Sequence, residues 1–253
     1  MKILLIVKDA ETSWFLINKL SKKFSNLMIA IEKTPSKYSF LKKQFKKNSF
    51  TKVLGQILFK LLSIILIFFY KKNINLLKEK YQLLSKKSYK IVNKYLYSIN
   101  SDECIKWLKE EKPDIIIING TQLVSKNTID SINAIFLNIH CGITPKYRGV
   151  HGGYWASISK DIDNIGVTVH LVDYGIDTGG IAYQEKINVD KTDNIFTYPI
   201  KQYSVGIKLM IKTIEDIYLN KLKLIEKKSI KSQLWKHPTI VEYIKNWYLL
   251  GIK

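Results

Sequence analysis

Apolar positions recur along the chain in two rhythms. Residues 2–7 carry a five-residue apolar run that stops at Lys8, and predict a buried strand. Between 11 and 23, Trp14, Phe15, Ile17 and Leu20 recur at helical spacing. Residues 26–32 predict a second strand. Strand, helix and strand in that order open a βαβ unit and point to a parallel sheet. A short helix over 102–111 stops before Pro113. The runs at 114–119 (DIIIIN) and 134–140 (AIFLNIH) are of strand length and predict adjacent, parallel, central strands. Residues 166–172 alternate as a strand does, and so do 181–189. A helix is expected over 194–219, with Ile207, Met210, Ile211, Ile214 and Ile217 on one side. Patterning weakens after 225, and Pro238 introduces a terminal helix. There is no internal repeat. The expected class is α/β, with a mainly parallel sheet in one unit over 1–220 and a short C-terminal extension at 221–253.

Residues 36–97 break this rhythm. They are rich in Lys, Leu and Tyr, and Gly55 is their one glycine. Two or three helices inserted into the sheet domain are expected. The stretch 53–70 is the most apolar, interrupted by Gln56 and Lys60 and flanked by Lys52, Lys71 and Lys72. A membrane-spanning helix needs about 20 mostly apolar residues, so the stretch is borderline. A buried helix, a subunit interface and an interfacial membrane helix all fit. Gln56 and Lys60 lie four apart and share a face. That favours packing against protein over immersion in lipid.

The chain has 253 residues, 46% of them hydrophobic and 25% charged, which excludes disorder and a multi-span membrane protein. Two cysteines, Cys104 and Cys141, make neither a disulfide scaffold nor a four-thiolate metal site. The first apolar run is too short for a signal peptide, so a cytoplasmic protein is expected. Formal charge is +20, which invites a nucleic-acid partner. The distribution argues otherwise: one basic residue alone is Arg, and the excess follows a general enrichment in Lys, Asn and Ile. Residues 1–100 hold 21 Lys against 4 acids, whereas 101–200 hold 9 basic residues against 13 acids. No nucleic-acid partner is expected.

Nine of the 12 glycines fall between Gly120 and Gly180, together with His140, His151, His170 and Arg148. Glycine marks turns and close backbone approach, so the most irregular backbone lies there. Asn138 and His140 are two apart at a strand's end and share a face. They project from the carboxyl edge of a parallel sheet, where ligands bind in open α/β folds. The following CGITPKYRGVHGG is too elaborate for a mere connection. Asp177, in GIDTGG, is either a turn residue or the partner that fixes the tautomer of His140. His170 alternates inside GVTVHLV and reads as a structural strand residue. No set of side chains has metal-ligand spacing, and no phosphate-loop or nucleophile-elbow motif occurs.

Asn138-Ile-His140, Pro145-Lys-Tyr-Arg-Gly149, Gly166-Val-Thr-Val-His170 and Asp177-Thr-Gly179 follow one another in the order found in the formyltransferases that use N10-formyltetrahydrofolate. The chain resembles that family over about 112–189, and the strands at 2–32 fit it. The resemblance leaves out 36–97 and 225–253. It implies a Rossmann-like formyltransferase fold, N10-formyltetrahydrofolate as co-substrate, no metal, and a catalytic triad of Asn138, His140 and Asp177. It places the folate against Gly120, Thr121, Gln122 and Leu123 on one loop, and Asp173, Tyr174 and Ile176 on the other.

Three acceptors fit such a family. Glycinamide ribonucleotide enzymes have a glycine-rich loop after the first strand, where this chain reads KDAETSW. Methionyl-tRNA enzymes add a C-terminal barrel, where this chain has 34 residues after 219. Bacterial sugar N-formyltransferases share the compact core and the run from Tyr147 to Trp155. That resemblance implies a nucleotide-linked amino sugar as acceptor, such as a dTDP-4-amino-4,6-dideoxyhexose or its 3-amino isomer, destined for O-antigen or another surface polysaccharide. It also implies Lys8, Arg148, His151, Tyr154 and Trp155 as substrate contacts and a soluble homodimer without membrane contact. A non-catalytic binding module of the same fold is the remaining alternative.

Overall fold

The computed structural model describes residues 1–33, 44–46, 48–226 and 231–253. Its centre is a seven-stranded sheet built from β1 (Ile3–Lys8), β2 (Leu27–Glu32), β3 (Lys94–Leu96), β4 (Ile115–Asn119), β5 (Ile135–His140), β7 (Gly166–Leu171) and β8 (Ile181–Lys186). The order is β3-β2-β1-β4-β5-β7-β8. β3, β2, β1, β4 and β5 run parallel. β7 is antiparallel to β5, and β8 is antiparallel to β7. β6 (Arg148–Gly149) pairs separately with β9 (Leu234–Trp235).

The alternation of β1 shows how the layers arise. Ile3, Leu5 and Val7 join the cluster under helices α1 (Glu11–Lys23) and α6 (Tyr198–Tyr218). Leu4 and Ile6 point the other way, against Cys104, Ile105 and Leu108 of α3 (Asp102–Glu111). A strand covered on both faces reads as a continuous apolar run, which is why β1, β4 and β5 stood out in the sequence. α3 begins at Ser101, whose hydroxyl accepts the Cys104 amide, and α4 (Lys126–Ser131) begins at Ser125 in the same manner with Thr128. Such caps satisfy amides that the first helical turn leaves free.

Within residues 36–97, where two or three helices are expected, residues 44–46 are helical, and the 31-residue helix α2 spans Phe50–Lys80. No proline or glycine follows Gly55 to break it. Gly55 itself lies where a Cβ would come within 2.9 Å of Thr239 Cβ, so it permits the C-terminal segment to cross closely. The expected structure over 36–43 falls outside the described residues. The segment also supplies β3, the outer strand of the sheet, which three residues were too short to announce. β8 ends at Lys186, earlier than the expected 189, and α6 starts at Tyr198. The preceding Asn194–Thr197 forms a turn in which Thr197 Oγ1 accepts the Asn194 amide at 2.8 Å.

The C-terminal residues return to the sheet domain. The Ile195 amide donates to the Lys253 carbonyl at 2.8 Å. Helix α7 (Ile240–Leu250) opens with a capping box of Thr239 and Glu242. Its Tyr243 enters a third cluster with Phe59 and Leu66 of α2 and with Tyr154 and Trp155 of α5 (Gly152–Ile158).

Candidate active site

β5 carries Asn138 and His140 to the carboxyl end of the parallel strands, as their spacing required. The antiparallel register then sets His170 directly across from Asn138, and Thr168 across from His140. The turn after β7 brings Asp177 back over this corner. Asp177 adopts a left-handed backbone (φ 53°), a conformation that costs energy in most residues and recurs at functional sites.

The Asp177 carboxylate gathers three partners. The Gly149 amide donates to Oδ2 at 2.8 Å. His140 Nδ1 lies 3.3 Å from Oδ2, and His170 Nε2 lies 3.5 Å from Oδ1. Burial opposes the charge of Asp177, yet the neighbouring His170 and His140 imidazoles and the Gly149 amide hold its carboxyl below the usual value. Burial also lowers the basicity of His140, against the pull of Asp177 and the Tyr147 carbonyl. His140 Nε2 donates to that carbonyl at 2.6 Å.

His170, expected as a structural strand residue, also reaches this corner. Its Nδ1 lies 2.7 Å from the Leu171 carbonyl, which fixes a proton there. The neutral ring therefore offers an Nε2 lone pair, which accepts from Asn138 Nδ2 at 3.3 Å. On protonation the same nitrogen can donate to Asp177. Asn138, His140, His170 and Asp177 thus form one connected group. The sequence held the signal in the alternation of GVTVH, but only the antiparallel pairing of β5 with β7 says which residue faces Asn138.

The loop from Cys141 to Tyr147 is fastened beneath the group. Thr168 Oγ1 donates to the Gly142 carbonyl at 2.7 Å and accepts the Thr144 amide at 3.2 Å, and Gln184 Nε2 donates to the Thr144 carbonyl at 2.7 Å. The Thr144–Pro145 peptide is cis. Burial, with Asp177 nearby, pushes the Cys141 thiol up to about 12, so it stays protonated.

The two loops expected to hold folate follow β4 and β7. Gly120 takes a positive φ. Thr121 follows it, half-buried. The Gln122 amide donates to the buried Glu32 carboxylate at 2.8 Å, and Leu123 is exposed. On the other loop Asp173 accepts the Gly175 amide at 3.1 Å and the Thr178 hydroxyl at 2.6 Å. Tyr174 and Ile176 are exposed, and the Tyr174 hydroxyl donates to Asp130 of α4 at 2.6 Å. Lys8, at the end of β1, neighbours Gly120.

The other candidate contacts scatter. Arg148 donates to the Ile176 carbonyl at 2.9 Å and to Ser232 Oγ at 2.8 Å, so its guanidinium ties the Asp177 turn to the C-terminal segment. His151, another left-handed residue, faces His237 at 2.9 Å. Tyr154 and Trp155, expected as substrate contacts, are buried in the third cluster. Tyr154 is 1% exposed and accepts from Asn246, and Trp155 Nε1 donates to the Lys236 carbonyl. Their apolar rings are spent on the third cluster. Among the described residues no three His, Cys, Asp or Glu side chains are placed to hold a metal ion.

The arrangement offers an amide, two imidazoles and an ionised carboxylate at the rim of a sheet. Such a set can take a proton from a nucleophile and donate to a developing oxyanion.

A family model described as formyl transferase matches residues 64–214, starting upstream of the motif resemblance and inside α2. The methionyl-tRNA formyltransferase of Kosmotoga olearia is 34% identical over 132 residues, covering 50% of this chain and 41% of that protein. The chain therefore spans less than half the length of this relative. Among solved structures, a 4-N formyltransferase from Francisella tularensis superposes with a TM-score of 0.58 at 20% identity, over 96% of this chain and 78% of the other. An N-formyltransferase from Helicobacter canadensis, solved with folinic acid and dTDP-3-aminofucose, gives 0.57 at 18% identity, over 93% and 70%. At such identities these likenesses speak for the fold. The family match, by contrast, takes in more than half of the chain, and the chain belongs to the formyl transferase family.

Proposed function

We propose that the chain transfers a formyl group from N10-formyltetrahydrofolate to the amine of a nucleotide-linked amino sugar. The observation that carries this reading is the convergence of Asn138, His140, His170 and Asp177 at one sheet end in a chain of this family. The folate would lie between the 120–123 and 172–177 loops. The residues there suit it: Leu123, Tyr174 and Ile176 offer apolar surface to a flat ring, beside the polar backbone of both loops. The folate supplies the formyl carbon. Asn138 donates its amide to the carbonyl oxygen as that oxygen gains charge, which is worth about 10²–10³ in rate for one such donor. With the Tyr147 carbonyl displaced and the imidazole proton on Nδ1 beside Asp177, His140 Nε2 accepts the proton of the attacking amine and returns it to N10 of the folate as the bond from N10 to the formyl carbon breaks. Asp177 holds the imidazole and stabilises its charge.

One observation supports the sugar. The Helicobacter canadensis protein, similar over most of this chain, was solved with dTDP-3-aminofucose. A second reading, methionyl-tRNA, is favoured by the curated relatives at 28–34% identity. Release of tetrahydrofolate from N10-formyltetrahydrofolate separates them. Release is expected with dTDP-4-amino-4,6-dideoxyhexose or its 3-amino isomer. Turnover with methionyl-tRNA alone overturns the sugar, and turnover with none overturns the transferase reading.

A further inference from the structure

Helix α2 lies along the domain with one face in and one face out. Val53, Phe59, Leu66 and Ile74 are buried against the third cluster and the sheet domain. The opposite face carries Leu54, Leu58, Leu61, Ile65 and Phe68, which recur at helical spacing and are all exposed. Ile64 and Phe69 widen it, and the two phenylalanines are 73% and 72% exposed. Helix α7 packs beside α2 through Phe59 and Tyr243, at 5.1 Å between rings. It exposes Val241, Ile244, Trp247 and Tyr248 in turn. A monomer leaves little such surface bare without a use.

The charges around the face say what covers it. Lys60 and Lys71 lie eleven residues apart, on one flank of the apolar stripe, and Lys72 closes the stripe after Phe68. All three are exposed and enter no ion pair among the described residues. The helix holds six lysines and one acid, Glu79. A second copy would bring an identical set of unpaired lysines, and another +20, against this rim. A negatively charged surface meets it with opposite charge. The exposed Phe68, Phe69, Trp247 and Tyr248 are also side chains suited to the boundary between headgroups and acyl chains.

We propose that α2 and α7 form a docking face for an anionic lipid surface. α2 is long and apolar enough to cross a membrane by length and composition alone. Crossing would pull Phe59 and Leu66 out of their cluster, so the helix lies flat instead. Its outer face enters the interface and its inner face stays on the domain.

Co-sedimentation of the full chain with vesicles tests this. Phosphatidylcholine–phosphatidylglycerol vesicles should retain the protein, pure phosphatidylcholine vesicles much less, and added salt should weaken retention. Each of Lys60→Gln, Lys71→Gln and Lys72→Gln should reduce anionic-vesicle partitioning by about fivefold, from the worth of one lysine near such a surface. The triple variant Leu61→Ser/Ile65→Ser/Phe68→Ser should abolish partitioning at unchanged thermal melting. Unchanged partitioning in these variants overturns the proposal. So does a dimer in light scattering that the triple variant dissociates, with no vesicle binding by the parent, because the face is then covered by a second copy. Formyl transfer to a soluble acceptor should be the same in parent and variants, so the outcome is independent of the acceptor.

Discussion

His140 Nε2 and the carbonyl oxygen of Tyr147 are 2.6 Å apart, so the ring nitrogen that faces away from Asp177 is occupied by the protein's own backbone. An amine reaching His140 must take the place of that carbonyl, and the 141–147 loop decides how readily it yields. Gly142 sets the spacing, because a Cβ there would come within 2.4 Å of the Tyr147 oxygen and 2.6 Å of His140 Nε2. Gly142→Ala is expected to displace the loop, lower kcat by up to about 10²-fold through misplacement of His140, and lower the melting temperature. A melting curve and a turnover assay on the same preparation check it. Parent-like values in both would mean that the loop gives way freely.

Removal of the base and of its carboxylate should act alike. His140→Ala is expected to cost about 10²–10⁴ in turnover, the range of a positioned proton acceptor. Asp177→Asn keeps the shape of the side chain and removes its charge, and should fall in the same range. Thermal melting alongside formyl transfer separates chemistry from folding. Near-normal turnover in a folded His140→Ala protein would exclude His140 as the base.

The sequence revealed the strands that are apolar on both faces, because β1, β4 and β5 are continuous runs that periodicity alone identifies. It also revealed Asn138 and His140, which lie two apart on one strand. It missed β3, whose Lys94-Tyr95-Leu96 is too short and too polar to register. It singled out 53–70 as one apolar stretch, but not the full length of α2, because the flanking lysines carry the helix on without an apolar signal. The role of His170 was hidden for a different reason. Its neighbours Asn138 and Asp177 are brought to it by antiparallel pairing and by a returning turn, and neither contact leaves a local pattern. The burial of Tyr154 and Trp155 was not legible, because an aromatic pair beside a glycine-rich loop has the same composition whether it faces a ligand or a core.

His170 should behave as a positioning residue. Its Nε2 lies between Asn138 Nδ2 and Asp177 Oδ1, so truncation loosens both without touching His140. His170→Ala is expected to lower kcat by roughly 10-fold to 10²-fold, with KM for the acceptor little changed, and to shift the pH profile of kcat. His170→Gln, which retains a polar end, should recover part of the loss. A loss confined to melting temperature, with kcat and its pH profile intact, would leave His170 a purely structural residue.

Acid should destabilise the fold in two stages. Burial lowers His140 below its ordinary value of 6.5, and burial together with His237 takes His151 down to about 3. Both therefore bind fewer protons folded than unfolded. Stability is fully present above 6.5 and declines as pH falls below it. Asp177, also lowered, adds its loss only below its ordinary 3.8. Melting temperature between pH 7 and pH 5 should thus fall chiefly through the histidines, including His237, which burial also lowers. His151→Asn, which tolerates the left-handed backbone, should flatten that slope. An unchanged slope would show that His151 titrates alike in both states.

Lys201 lies in the first turn of α6, where the helix dipole disfavours a cation, and it is 3% exposed. Its ammonium donates to Asp193, to Asp190 at 2.8 Å and to the Asn188 carbonyl at 3.0 Å. Asp193 is itself buried, and its other oxygen accepts the Thr197 hydroxyl at 3.0 Å, so it also anchors the turn that starts the helix. Lys201→Met preserves volume and leaves Asp193 buried without a cation, which costs about 3–5 kcal/mol. Lys201→Met/Asp193→Asn removes both charges and should recover more than half of that loss. The Asp190 partner is mostly exposed, so Asp190→Asn alone should cost far less than Lys201→Met. Denaturant unfolding of the four proteins measures all three quantities. If Lys201→Met and Asp190→Asn proved equally mild, solvent would be reaching Asp193, and the start of α6 would rest on the Asn194–Thr197 turn alone.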